Sequence, residues 1–420
     1  MNFQENDFDF LIVIIATKCY NVLCRKCYRR RCHVTNKCYR ILEMHGKSTN
    51  RPQRLQGNMM NDITKKRAKI ENAIEHIVCD YKAIIDYALT CINNKLSYQT
   101  YMCILPFFSM YVLEGYEYLC KNGILNKESM HQQELEKLEK CRAVGVKLHS
   151  NFKKTTFNSL NDFNRNEYIK FFNKAHPIAR LVLKESIKNY CIYFVGNFPV
   201  GNYHLYSKKI LDTEIGTYIE DVSKQVYGYT FLLSRFSTEV VSGIDTSFDL
   251  NIMGQRKISI QFNSIDYNMA YDYKDFRIKQ SPPILMALLD VLCVLNAYRK
   301  IFVKINKDRI LDIKIKYTIL FYAILSLKSI FNFCDSENIY IQAEKEFTNY
   351  IQDLENQYVK NKLRKFCMHY DFPIDEWKQD PFTEEFEKEF QKPIQQISQT
   401  LFDIIDTLAN KLQELIMEQT

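Results

Sequence analysis

The chain has 420 residues, 46% of them apolar and 25% charged, with a formal net charge of +8. That length suits one large domain or two to three ordinary ones, and that balance of residues excludes an intrinsically disordered chain. With only 11 Gly and 9 Pro, folds built on many tight βα turns and Gly-rich phosphate loops are disfavoured, and helices joined by polar linkers are favoured.

Residues 1–57 stand apart as a Cys-rich, basic extension. The stretch CYNVLCRKCYRRRCHVTNKC holds Cys19, Cys24, Cys27, Cys32 and Cys38, which are candidate zinc ligands beside His33. Cys24 and Cys27 have the two-residue separation that lets a chain turn over one metal ion, and the other cysteines lack it. Arg29, Arg30 and Arg31 lie next to them as candidate phosphate contacts. GKSTNRPQRLQG, residues 46–57, reads as a linker. The remaining nine of the 14 cysteines are scattered singly through apolar stretches, where cysteine behaves as a small core residue. No basic-flanked apolar leader is visible near Met1, and no apolar run reaches the roughly 18–20 uncharged residues of a membrane span. Free thiols in a reducing cytoplasm are therefore expected.

Residues 58–191 read as helical. IENAIEHIVCDYKAIIDYALTCI places Ile70, Ile74, Ile77, Tyr81, Ile84, Ile85 and Leu89 at helical spacing. Residues 192–280 change texture: IYFVGNFPVGNYHLY and KISIQFNSIDYNM cluster β-branched and aromatic residues beside Gly, Pro and Asn, and predict a few short strands. The prolines of SPP, residues 281–283, suit a first helical turn. Beyond them the pattern predicts four helices, over 284–302, 315–333, from about 336 to 370, and 393–416. The expected fold is thus mainly α, with a small β-containing segment in the middle and a helical bundle over residues 281–420.

The third of those helices ends in KLRKFCMHYDF, Lys362 to Phe372, followed by Pro373. Its chemistry rests on Arg364 and His369. Cleavage of RNA by its own 2′-hydroxyl needs a group that moves a proton near neutral pH, and the histidine pKa of about 6.5 suits that task. The transition state gathers negative charge on the phosphoryl oxygens, and a guanidinium answers it with paired hydrogen bonds. Asn361, Lys365 and Asp371 are the neighbouring candidates for substrate contact. There is no P-loop, no Gly-x-Ser-x-Gly and no HExxH.

An arginine followed four residues later by a histidine, near the end of the third helix of a C-terminal bundle, resembles the HEPN superfamily. Many of its members are metal-independent ribonucleases of toxin–antitoxin, abortive-infection and CRISPR systems. The resemblance covers about the last third of the chain, and Lys365 follows the arginine where the family usually has Asn, Asp or His. It implies an endoribonuclease that needs no cofactor, with Arg364 binding phosphate and His369 transferring a proton. It also implies RNA as partner, a homodimer through the bundle, and an antitoxin or sensor protein that engages the remaining two thirds. Two other expectations stand beside it: a non-catalytic HEPN-like dimerisation scaffold, and a zinc-binding nucleic-acid adaptor acting through the N-terminal cysteines.

Overall fold

The structure, a computed structural model, describes residues 53–126, 132–148, 152–158, 160–161, 190–202, 219–267, 275–278, 281–341, 344–370, 372 and 380–418. It is mainly helical, with one three-stranded antiparallel sheet in the middle of the chain. Helix α1, Gln53–Asn93, buries Ile77, Tyr81, Ile84 and Ile85 of the expected stripe together with Ala73 and Ala88, and leaves Ile70, Ile74 and Leu89 half-buried. Helix α2, Leu105–Lys121, is buried all round from Leu105 to Leu113, so it runs through the interior and meets solvent only from Glu114 onward. At Gly115 a Cβ would stand 2.8 Å from the Tyr81 hydroxyl. The missing side chain lets Tyr81 reach across and donate to the Val112 carbonyl at 2.6 Å. Helix α3, Gln132–Leu148, packs along α2.

The sheet forms where the strands are expected. Strands β1, Tyr190–Val195, and β2, Phe198–Asn202, make a hairpin closed by Gly196 and Asn197. Gly196 has φ +60°, whereas Asn197 is absent from the positive-φ residues. Positive φ at the first central position alone is the pattern of a II′ turn, which matches the strand twist. Strand β3, Asn263–Tyr267, pairs on the other side of β1, giving the order β2-β1-β3. Inside the segment read as mixed lies a helix the periodicity did not disclose: α4, Ile219–Ile244, packed on α1. Its serines and threonines dilute the apolar stripe, yet Thr230, Ser234 and Thr238 each donate to the carbonyl four residues earlier and so sit satisfied within the helix.

The C-terminal part begins with α5, Pro282–Ala297, which continues through a π turn, Tyr298–Phe302, to Ile305. Helix α6, Arg309–Ser336, is capped by Asp308, whose carboxylate accepts from Leu311 N at 2.7 Å. The long third helix of the sequence reading is two helices, α7, Glu344–Tyr358, and α8, Asn361–His369. Neither Gly nor Pro breaks them. Lys360 is extended, and the Tyr317 hydroxyl, arriving from α6, lies 3.0–3.1 Å from Tyr358 O, Lys360 O and Lys360 N. A polar group from another helix thus takes up backbone groups that the break releases. Helix α9, Pro381–Phe390, precedes α10, Ile394–Ile416, whose buried stripe runs through Ile397, Leu401, Ile405, Leu408 and Leu412. Buried side chains from Ala73 through Ile416 join in one continuous core, shared by the helical region, the sheet and the C-terminal helices.

Across that core runs a buried ion pair. Lys314 Nζ of α6 lies 2.6 Å from Asp80 Oδ2 of α1, with side chains 0% and 1% exposed. The Tyr370 hydroxyl, just beyond α8, donates to the same oxygen at 2.7 Å. A second link, His76 Nε2 to Asp380 Oδ1 at 2.7 Å, ties α1 to the start of α9, where Asp380 also caps Thr383. Burial pushes the Asp380 carboxyl up, but the hydrogen bond and charge of His76, with the N–H and hydroxyl of Thr383, outweigh it and hold the carboxyl below its ordinary value of 3.8.

Two outcomes follow for stability. Lys314→Met alone strands the Asp80 carboxylate and is expected to cost about 3–5 kcal/mol in urea denaturation, while adding Asp80→Leu recovers much of that loss. A carboxyl with a depressed folded-state pKa contributes stability above its unfolded pKa and loses it as the pH falls through the folded one. Wild type is therefore expected to exceed Asp380→Asn in denaturation midpoint at neutral pH, with the gap closing below about pH 4.

Candidate active-site cleft

Helix α8 is short and amphipathic. Leu363, Phe366, Cys367 and Met368 are buried, and the helix packs against α2 and α6. Tyr370 ends it in the left-handed region at φ +51°, a conformation that disfavours residues with a Cβ. The cost is met by full burial of the ring and by its bond to Asp80. His369, the last helical residue, is thereby held at the edge of the core. It is 38% exposed, whereas its partner Glu114 on α2 is 11% exposed.

His369 Nδ1 lies 2.7 Å from Glu114 Oε2. An ionised carboxylate only accepts, so this contact places a proton on Nδ1 and leaves Nε2 as the nitrogen for proton exchange. The other oxygen of Glu114 accepts from Arg142 Nη1 of α3 at 3.2 Å, and the same nitrogen stands 3.9 Å from Glu117. Glu114 is thus held between a cation and an imidazole, and the imidazole is oriented by it.

This pair opens on a cleft of about 730 Å³ between α1, α2 and α8. Lys65, Lys66 and Lys69 line it from α1, and Glu114, Glu117, Tyr118 and Lys121 from α2, with His369 at the end of α8. The α2 residues recur three and four apart, which puts them on one helical face. Four lysines against two glutamates give the lining an excess of positive charge beside the imidazole, a balance that can attract a phosphate chain. Glu117 is pushed up from the ordinary carboxylate value, first by burial and then by the charge of Glu114, with Arg142 and His369 pulling the other way.

The residues singled out in the sequence are only partly brought together. Arg364 is not among the described residues that line the cleft. Its guanidinium lies over the Phe321 ring, 5.7 Å from the centroid, and its Nε is buried with no hydrogen-bond partner. Burial pushes the Tyr322 hydroxyl up, while the charge and hydrogen bonding of Arg364 and the charge of Arg142 pull it down and Glu114 pushes it up again. Asn361 and Lys365 are exposed along the same flank of α8 as His369, and Lys362 pairs with Glu385 of α9. Asp371 and the cysteines Cys19, Cys24, Cys27, Cys32 and Cys38 lie outside the described residues. Among the described residues no group of three or more His, Cys, Asp or Glu side chains is disposed to hold a metal ion, and no helix is long and apolar enough to cross a membrane. None of the nine described cysteines is joined in a disulfide among the described residues.

Sequence reasoning passed over Glu114, Glu117, Arg142 and the lysines. The cluster KKRAK, residues 65–69, was visible as a charge run, but Glu114 and His369 are 255 residues apart, and only the fold pairs them. No family model, curated protein or solved structure matches the chain.

Proposed function

We propose that the chain is a HEPN-like ribonuclease that cleaves RNA through the RNA's own 2′-hydroxyl, in the cleft between α1, α2 and α8. The observation that carries this reading is the Glu114–His369 pair at the lip of a cleft lined by four lysines. His369 moves a proton at Nε2 while Glu114 fixes its tautomer and orientation. Lys65, Lys66, Lys69 and Lys121 hold the phosphate chain and answer the charge that grows on the phosphoryl oxygens. These lysines take the role that the motif alone gives to Arg364, which, packed on Phe321, steadies α8 from its other flank. The nucleophile belongs to the substrate, so the reaction calls for no metal-bound water. The HEPN likeness would add a cytoplasmic setting, a homodimer through the C-terminal helices, and an antitoxin or sensor protein as further partner.

A second reading is favoured by the absence of Arg364 from the lining of the cleft: a protein of this architecture that binds RNA in the lysine cleft and leaves it intact. Cleavage of a mixed-sequence RNA by the purified chain in EDTA separates the two. Under the first reading, wild type cleaves and His369→Ala loses about 10²–10⁴-fold in rate, while Arg364→Ala, compared where both variants are folded, loses far less. Replacing Lys65 and Lys69 together by Ala is expected to weaken RNA binding and to lower its salt slope by about 0.7 per lysine. No cleavage by wild type, with the salt-dependent binding intact, would select the second reading; equal cleavage by wild type and His369→Ala would remove the cleft from the chemistry.

A further inference from the structure

Transesterification of RNA moves two protons. One leaves the 2′-oxygen as it attacks phosphorus, and another reaches the 5′-oxygen as it departs. The imidazole of His369 is committed at Nδ1 to Glu114, so it has one nitrogen for exchange and cannot perform both transfers in one transition state. The cleft holds two carboxylates, three residues apart on the same face of α2. Glu114 has both oxygens engaged, by His369 and by Arg142. Glu117 has a loose hold on Arg142, at 3.9 Å, and its side chain is 61% exposed to the cleft and solvent.

On these grounds we propose that Glu117 is a second catalytic residue of the cleft, the base that takes the 2′-hydroxyl proton while His369 donates to the leaving oxygen. The proposal rests on the ribonuclease reading above. In the step, the O2′–P bond forms as the proton passes to the Glu117 carboxylate; the P–O5′ bond breaks as the 5′-oxygen takes the proton from His369 Nε2. The products are a 2′,3′-cyclic phosphate and a 5′-hydroxyl. Glu117 is left protonated and His369 neutral, and one proton passed through solvent from the first to the second resets the pair.

The groups facing Glu117 are consistent with this division. Glu114 on its own helix and Glu139 of α3 oppose its ionisation, while Arg142 of α3 and His369 of α8 favour it. Lys121 on α2 and Lys65, Lys66 and Lys69 on α1 complete the charged wall. A carboxylate set among these lysines holds a proton acceptor next to bound phosphate without making the cleft negative as a whole.

The test uses the full chain on a DNA oligonucleotide carrying a single ribonucleotide, with the all-deoxy strand as control, over a range of pH. Wild type is expected to cut only the ribonucleotide strand, to leave a 2′,3′-cyclic phosphate, and to show a bell-shaped kcat/KM profile. In Glu117→Gln kcat is expected to fall about 10²–10⁴-fold and the acidic limb to vanish, with KM unchanged or lower because a negative charge has left the phosphate site. Glu117→Asp is expected to restore part of kcat. If Glu117→Gln keeps the kcat of wild type and both limbs while His369→Ala is dead, the role of Glu117 is overturned and the ribonuclease reading stands. If wild type cuts neither strand, or both equally, the two fall together.

Discussion

The contact between Lys314 and Asp80 joins parts of the chain that are 234 residues apart, and the geometry of the cleft depends on it. Taking two charges out of water costs several kcal/mol per ion, so the pair survives only with further hydrogen bonds around it. Tyr370 supplies one, and Lys314 also lies 5.1 Å from the Tyr370 ring centroid and 5.4 Å from that of Phe382. Asp80 Oδ1 still has no partner. An apolar trio of similar volume would fill the same space at lower electrostatic cost, but it would not dictate which side chain of α6 meets which side chain of α1. The polar contact pairs Lys314 with Asp80 and, through the same carboxylate oxygen, holds the residue that follows α8.

From Tyr370 the constraint passes directly to the site. A left-handed residue at the end of a nine-residue helix is strained unless its side chain is anchored, and here it is anchored by the carboxylate that holds Lys314. The other end of α8 is set by the Tyr317 hydroxyl, also from α6. Held at both ends and packed along Leu363, Phe366 and Cys367, α8 has little freedom to turn about its axis. His369 therefore meets Glu114 while remaining open to the cleft, and Arg364, about 140° round the helix from it, meets Phe321. The same packing that brings one residue of the motif to the cleft takes the other away from it.

Much of the fold was legible because local signals and global packing agree. Most of the apolar stripe of α1 and of α10 is buried as the spacing predicts, and VGNFPVG turns where its glycine allows a positive φ. What was not legible depends on distant side chains. The break between α7 and α8 carries no Gly or Pro; it exists because Tyr317 arrives to receive it. Helix α4 is masked by serines and threonines that satisfy themselves on its own carbonyls. For the site, His369 stood out as a histidine at a helix end, but the residue that orients it sits in YVLEGYEYL, whose two glutamates look alike in sequence.

In the structure those two glutamates are not alike. Glu114 is nearly buried and fully engaged; Glu117, one turn on, is open to the cleft and only loosely held. Identical carboxylates on one helical face acquire different chemistry from the partners that packing assigns them, one as an orienting group and one as a group that can exchange a proton. The lysines opposite complete the logic. On the ribonuclease reading, two carboxylates without them would repel a phosphate chain, whereas four lysines leave the cleft an excess of positive charge beside a proton acceptor. Under that reading neither feature suffices alone: a basic groove only binds, and an acid–base pair without the lysines has nothing to hold a polyanion.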